Sequence, residues 1–409
     1  MDNKNLKLLS LFSGCGGMDL GFEGGFPVLR KSLNPAFASG KAAVDGDWAT
    51  LPRNGFETVF ANDIRPGAKV AWENYFQRPG VFHVASVVDL VKAAKRGEWS
   101  FPEADVVTGG FPCQDFSLAG KRAGFESAVG HHGGKLGEGD EPAEENRGKL
   151  YMWMREVIGL VRPRIFVAEN VKGLASLGDV KQIIEEDFRN VGGGYVVVTA
   201  KTLAAPEFGV PQTRERVIFF GFRKDALRPE AAAALQLDVV PAQYDPYPQP
   251  THRSAKLKVR SAKGLPPPPT CGDAFAGLLE PEDSPDPSQR AYSKAAWYGK
   301  HCQGNRELDL TVPAPTIRSE HHGNIEFRRL AAEHGGVHDE ELARGSRERR
   351  LTVRECARAQ TFPDNYEFVR RGALSTSEAY KLIGNAVPPL LAYHIARRLR
   401  AIIPALFGT

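Results

Sequence analysis

The chain is poor in the features that usually assign a protein quickly. It holds five cysteines in 409 residues, Cys15, Cys113, Cys271, Cys302 and Cys356, widely spaced and odd in number. That pattern suggests neither a disulfide framework nor a CxxC zinc site, and it fits a reducing, cytoplasmic setting. No apolar run approaches the length that spans a bilayer. The opening stretch MDNKNLKLLSLFSG has neither the apolar core nor the cleavage site of a signal peptide. No internal repeat is present. Charge of one sign is lacking too, because a net charge of +4 permits a polyanionic partner without demanding one. A hydrophobic share of 42% and a charged share of 25% are ordinary for a soluble globular protein. At 409 residues, two domains are the natural expectation.

What the first half does have is alternation. Short β-branched or aromatic runs lie at Lys7–Phe12, Glu57–Ala61, Asp105–Thr108, Ile165–Ala168, Tyr195–Thr199 and Val217–Phe222. Between them, Leu150, Trp153, Met154, Val157, Ile158 and Val161 repeat at helical spacing until Pro163 closes the segment. This predicts an α/β fold with a mostly parallel sheet and helices on both faces. After Arg223 the rhythm is lost among PQPTH, PPPP and PEDSPDP, which reads as a separate irregular domain on Pro-rich connections. Periodicity then returns. Ser375-Thr376-Ser377-Glu378 has the pattern of a capping box, and Pro388-Pro389 opens a last helix with Leu391, Ile395, Leu399 and Ile402 on one face. The Gly- and acid-rich stretch 130–147 reads as a loop.

Five stretches carry candidate chemistry. In GGFPCQDFSLAG, residues 109–120, Cys113 follows a proline just past a strand end, where α/β sheets place ligands. A free cysteine is more commonly a small buried hydrophobe. LLSLFSGCGGMDLGF, residues 8–22, reads as a strand, a Gly-rich turn and a helix. Asp19 occupies the third-glycine position of GxGxxG and no GK[ST] follows, so neither the dinucleotide fingerprint nor a P-loop is complete. The glycines let backbone approach a bulky ligand, or simply make a tight turn. In VFANDIRPGA, Asp63 ends a strand, where a carboxylate either holds ribose hydroxyls or caps a helix. RIFVAENVKGL ends a strand on Glu169-Asn170, a carboxylate whose pKa burial raises unless a salt bridge satisfies it. QTRERVIFFGF places Arg214 and Arg216 on one side of a strand by period two, able to grip an anionic or carbonyl group.

In order along the chain stand FSGCGG, GGFPCQDFS, ENV, QTRERV, RLTVRECARAQTFPDNY and GNAVPP. This ordered set resembles that of the DNA (cytosine-5) methyltransferases, and the resemblance covers both ends of the chain. It implies a Rossmann-like S-adenosylmethionine-dependent methyltransferase sheet with a smaller, irregular target-recognition domain. Residues 1–265 would form the first catalytic and cofactor-binding segment, 266–364 the target-recognition domain with its hinge, and 365–409 a segment returning to the catalytic domain. The resemblance makes Cys113 the nucleophile toward carbon 6 of a flipped-out cytosine, with Pro112 holding its loop against the base. Glu169 would meet the ring nitrogen and amine, and Arg216 the carbonyl oxygen, with Arg214 beside it. S-adenosyl-L-methionine would be held by Phe12, Ser13, Gly14, Gly16, Gly17, Asp63, Ile64, Ser86, Val87, Leu150, Asn385 and Ala386, and no metal is implied.

The family pattern is not matched everywhere. Ser86 stands where an Asp is usual, Ile64 where an aromatic often stacks on adenine, and Ala119 where a serine often follows the nucleophile. Stretches 30–55 and 130–147 lengthen two of the gaps between motifs. Base readout would fall to the irregular domain, with TIRSEHHGNIEF and the arginines of 344–350 as candidates, although His321-His322 equally reads as a polar turn. The expected partner is duplex DNA carrying a specific site, with a cognate restriction endonuclease acting separately, no membrane, and a monomeric cytoplasmic enzyme. A solitary methylase, an RNA-directed relative and a catalytically silent nucleic-acid-binding module are the rival readings.

Overall fold

Buried β-branched and aromatic runs frame the chain in a computed structural model, which describes residues 5–36, 42–112, 150–176, 179–253, 264–319 and 325–408. The first elements are β1 (Leu6–Leu11), α1 (Gly17–Glu23), β2 (Pro27–Leu29), β3 (Ala43–Asp45), β4 (Trp48–Thr50), β5 (Phe56–Asp63), α2 (Pro66–Phe76), β6 (Phe82–Val84) and α3 (Val87–Lys95). β7 (Val106–Gly110), α4 (Leu150–Val161), β8 (Ile165–Val171), α5 (Val180–Arg189), β9 (Tyr195–Ala204), β10 (Glu215–Arg223) and α6 (Pro229–Ala234) follow. The remainder comprises α7 (Cys271–Phe275), α8 (Pro287–Arg290), β11 (Phe327–Arg329), α9 (Asp339–Ala343), β12 (Arg349–Arg350), α10 (Val353–Ala359), α11 (Thr376–Asn385) and α12 (Pro389–Phe407).

Seven strands make one sheet in the order β6-β5-β1-β7-β8-β10-β9. β6, β5, β1, β7 and β8 run parallel, whereas β10 is antiparallel to both β8 and β9. The expected mostly parallel sheet is present, with one reversed strand. From β1 the chain builds outward through β5 to β6, then crosses back to lay β7 and β8 on the other side of β1. Strand order therefore reverses between β1 and β7, and α/β sheets bind ligands beyond the carboxyl ends at such a point. Because β10 is reversed, its amino end reaches that same edge, where Arg216 lies opposite Val171 of β8.

Period two sorts the strand side chains between two apolar layers. Leu8, Val106, Ile165, Val167, Ile218 and Phe220 pack with α1 and α12. Leu9, Leu11, Val107, Phe166, Ala168 and Phe219 pack with α3, α4 and α5. The long helix α12 buries Leu391, Ile395, Leu399 and Ile402, the face expected from its spacing. It lies directly on α1: a Cβ at Gly21 would come within 2.4 Å of both Pro389 O and Ala392 Cβ. Only a glycine there lets the two helices approach so closely.

Residues 27–50 hold a three-stranded antiparallel sheet, β2-β4-β3, that no sequence pattern signalled. Its Trp48 ring lies 5.0 Å from the Arg358 guanidinium, and Lys31 pairs with Asp273 at 2.5 Å. Between Lys224 and Arg350 the described chain forms only short helices and the β11–β12 pair. Regular structure resumes at capping boxes, formed by Thr352 with Glu355 on α10 and by Ser375 with Glu378 on α11. Stretch 130–147 lies outside the described residues.

Candidate active site

β7 delivers Gly109-Gly110-Phe111-Pro112 to the carboxyl edge of the sheet. There Asn170 Nδ2 donates to Phe111 O at 3.2 Å, while Val171 N donates to Asn170 Oδ1 at 2.8 Å. The Asn of the ENV stretch thus fixes the exit of β7. The described chain stops at Pro112, which is half-buried, and Cys113 lies outside the described residues.

Gly110 lies opposite Glu169 in the β7–β8 ladder. A Cβ on Gly110 would fall 2.8 Å from Glu169 Oε2, so the missing side chain makes room for the carboxyl group. The other oxygen, Oε1, is 2.6 Å from Arg216 Nε. Burial pushes the Glu169 carboxyl above the ordinary glutamate range, and the guanidinium groups of Arg216 and then Arg214 pull it partly back. A buried carboxyl held in this way can present a proton to a ring nitrogen at a pH where an exposed one is ionised. The pair joins both candidates the sequence singled out, a desolvated carboxylate and its salt bridge.

Two expected results follow from this geometry. Gly110→Ala should lower kcat by roughly 10²-fold with the fold intact by circular dichroism, because Arg216 prevents the carboxyl from moving aside. A kcat within twofold of wild type would show that the carboxyl position is not critical. The second concerns pH. A carboxyl with a raised pKa binds its proton more tightly in the folded chain than in the unfolded one. Its contribution to stability is full below the unfolded value and is lost as pH rises through the raised value. The Tm of Glu169→Gln relative to wild type should therefore shift in the variant's favour as pH rises above the ordinary glutamate range. A pH-independent difference would contradict the raised pKa.

Arg214 behaves differently from the side-by-side grip expected from strand alternation, because it precedes β10 rather than lying within it. It is fully buried, with Nη1 donating to Ile317 O at 3.1 Å and Nη2 to Gly384 O at 2.8 Å. Arg216, with its Nη1 on Glu215 O at 2.8 Å, is the arginine aimed at Glu169.

The loop after β1 forms the other half of the edge. Phe12 (φ 52°), Gly14 (φ 52°) and Gly16 (φ 76°) take left-handed backbone, which turns the chain tightly enough to leave amides facing the β5 end. Ser13 N donates to Asn62 O at 2.8 Å, and Asn62 N donates to Ser13 Oγ at 3.0 Å. Gly14 N donates to Asp63 Oδ2 at 3.1 Å and Arg65 N to Asp63 Oδ1 at 3.0 Å. Arg65, not Asp63, is the N-cap of α2. The Asp63 carboxylate thus orders the turn and still has lone pairs for two hydroxyls, and burial raises its pKa. Ile64 beside it is 38% exposed, an apolar face at the mouth of the edge. Ser86 caps α3, accepting from Val88 N at 3.3 Å, and Val87 and Leu150 begin α3 and α4 as buried residues.

The two ends of the chain meet here. Cys15 Sγ lies 3.4 Å from Leu382 O, and Tyr366 Oη donates to Cys15 O. A Cβ at Gly17 would come within 2.4 Å of Val387 O and 3.2 Å of Ala386 Cβ. Exposed Asn385 and half-buried Ala386 therefore stand beside the Gly-rich turn. A Cβ on Gly14 would meet nothing within 4 Å, so the turn leaves open space. A carboxylate for ribose hydroxyls, an apolar face for a base and that open turn fit an adenosine-bearing cofactor such as S-adenosylmethionine. Among the described residues no His, Cys, Asp or Glu cluster is arranged to hold a metal ion.

The arginine cluster needs correction. Arg349 is buried and donates to both oxygens of Glu355 at 2.9 Å, and buried Arg350 donates to Gly304 O at 2.6 Å and Asn305 Oδ1 at 2.9 Å. Their guanidinium groups are spent on the protein interior, whereas Arg344 and Arg347 are exposed. His321 and His322 lie outside the described residues. Sequence reasoning assigned no role to Gln212 and Gln360, buried amides that tie loops to one another, although both lie in the quoted QTRERV and RLTVRECARAQTFPDNY stretches.

The profile of the C-5 cytosine-specific DNA methylases matches residues 6–401. The type II methyltransferase M.BsuRI of Bacillus subtilis is 31% identical over 96% of this chain and 78% of its own length. The type II methyltransferase M.BspRI of Lysinibacillus sphaericus is 33% identical over 96% of this chain and 81% of its own. Among solved structures, the S. pombe Dnmt2 methyltransferase shares the fold with a TM-score of 0.54 at 14% identity, covering 98% of this chain and 99% of that one. The Entamoeba histolytica methyltransferase EhMeth has a TM-score of 0.54 at 13% identity with the same coverage. No helix among the described residues is long and apolar enough to cross a membrane.

Proposed function

The chain belongs to the C-5 cytosine-specific DNA methylase family, and on that premise we propose that it methylates carbon 5 of a flipped-out cytosine in a specific duplex DNA sequence. The observation that carries the proposal is the buried Glu169–Arg216 pair set against Gly110, two residues before Pro112 and three before Cys113. Carbon 5 of cytosine is a poor nucleophile. Addition of the Cys113 thiolate to carbon 6 breaks the ring's aromaticity and gives carbon 5 enamine character. Glu169 would hold the ring nitrogen and exocyclic amine and offset charge that develops during attack, while Arg216 would orient the carbonyl oxygen. S-adenosylmethionine supplies the methyl group from a sulfonium, and the Phe12–Gly17 turn, Asp63, Ile64, Asn385 and Ala386 would hold it. A water molecule would then take the carbon 5 proton, and the electron pair of that C–H bond would re-form the 5,6 double bond as the Cys113 thiolate leaves.

The relatives named as type II methyltransferases support a place in a restriction–modification system, with a cognate endonuclease acting separately on the same site. We propose a monomeric cytoplasmic enzyme with residues 266–364 as its target-recognition domain. Nucleoside analysis of unmethylated plasmid DNA treated with the protein and S-adenosylmethionine should show 5-methylcytosine. The appearance of N4-methylcytosine or N6-methyladenine instead, or of 5-methylcytosine only in RNA, would refute the assignment.

A further inference from the structure

Arg214 lies two residues from the Glu169 partner Arg216, yet its two hydrogen-bonded nitrogens reach elsewhere. One donates to Ile317 O at 3.1 Å, at the start of the TIRS stretch read above as part of base recognition. The other donates to Gly384 O at 2.8 Å, the residue before Asn385 on the cofactor side. These two backbones are in direct contact, because a Cβ at Gly384 would lie 2.4 Å from the carbonyl of Arg318. Neighbouring amides make the same connection. Gln212 Oε1 accepts from Ile317 N at 3.1 Å and Gln212 Nε2 donates to Ala359 O at 3.3 Å, and Gln360 Nε2 donates to Ile383 O at 2.6 Å. With no gap between the segments, displacement of one must move the other.

We propose that Arg214 is a positioning residue that locks the Ile317–Ser319 segment to the Gly384–Ala386 turn, so that engagement of duplex DNA on the first strengthens cofactor binding on the second. The inference rests on the methyltransferase reading above. A planar guanidinium can serve two divergent carbonyls at once, whereas a lysine ammonium substituted there is a single point charge. Coupling between two sites is reciprocal, so it can be read from either ligand.

The test is calorimetric titration of S-adenosylhomocysteine at one fixed salt concentration, without and with a saturating duplex that carries the site the wild-type enzyme methylates. The duplex should raise wild-type affinity by roughly 10-fold. In Arg214→Lys that factor should fall to within about twofold of unity, while affinity without DNA changes less than about threefold. A merely structural role would weaken both affinities and leave the factor intact. Thr316→Val removes the 3.0 Å bond from Thr316 Oγ1 to Thr213 O at the edge of the same junction, leaves the buried arginine in place, and should reduce the factor partway. It decides the matter even if Arg214→Lys does not fold. A wild-type factor in both variants, or in Thr316→Val alone where the other cannot be purified, overturns the proposal. So does a wild-type enzyme that binds duplex and S-adenosylhomocysteine independently. Wild-type protein that binds neither would instead overturn the functional reading.

Discussion

Cys113→Ser should abolish methyl transfer to DNA, by at least about 10⁴-fold, while leaving S-adenosylmethionine affinity within about threefold of wild type. The serine differs by one atom, so packing around the site hardly changes. A hydroxyl is far less ionised and far less nucleophilic at neutral pH than a thiol. Without addition at carbon 6, carbon 5 never becomes nucleophilic, and the methyl donor waits unreacted. The cofactor side of the edge, from Phe12 to Asp63, Asn385 and Ala386, involves other elements and should be untouched. Incorporation of tritiated methyl groups measures the loss, and calorimetry measures the retained affinity. Residual turnover within about tenfold of wild type would mean that another group starts the reaction.

The second large effect concerns the chain's far end. A protein ending before Ser375 lacks α11 and α12, although Cys113, Glu169, Arg216 and Asp63 all survive. Six side chains of α12, Leu390, Leu391, Ile395, Leu399, Ile402 and Leu406, are buried. At about 1.5–3 kcal/mol for each buried aliphatic side chain, their loss comes to roughly 9–18 kcal/mol, an upper estimate. Whole domains are stable by only about 5–15 kcal/mol. The truncation would also uncover Gly17 and Gly21, whose α-carbons lie against Val387 and Pro389, and remove Asn385 and Ala386 from beside the Gly-rich turn. The expected product is poorly soluble and binds no S-adenosylmethionine. Residues 375–409 added as a separate peptide should restore part of the binding. A truncated chain that elutes as a folded monomer and binds cofactor with wild-type affinity by calorimetry would show that α12 is dispensable.

Much of the sheet was legible because its strands are short, apolar and separated by turn residues. Val106–Gly110 and Ile165–Val171 are almost wholly buried, so the apolar runs that open them, Val106-Val107 and Ile165–Ala168, stand out. Boundaries shifted by a few residues, as at Tyr195–Ala204, where exposed Thr199, Lys201 and Thr202 interrupt the apolar run. The antiparallel run of β10 was not legible, since side-chain pattern carries no direction. Nor was the small sheet β2-β4-β3, whose three-residue strands are too short to show a period. At the site, Glu169 was legible because a carboxylate at the end of a buried strand is costly unless something uses it. Arg214 was misread in detail, because alternation assumed it lay within the strand. Arg349 and Arg350 were misread for a physical reason: clustered charge normally marks a solvated face, and here Glu280, Glu355 and backbone carbonyls neutralise it inside. Tertiary partners of that kind, over sixty residues away for Glu280, leave no local trace.

The most direct test of the account is whether the protein forms a covalent bond to its substrate. Wild-type protein should be mixed with S-adenosylmethionine and a duplex carrying 5-fluorocytosine at the methylated position. Fluorine cannot leave carbon 5 as the proton does, so elimination of the thiol is blocked after methyl transfer. Mass spectrometry of the digested complex should find one peptide joined to the nucleotide through Cys113, and only when S-adenosylmethionine is present. Full methylating activity on ordinary DNA with no adduct, or an adduct at any other residue, would contradict the mechanism.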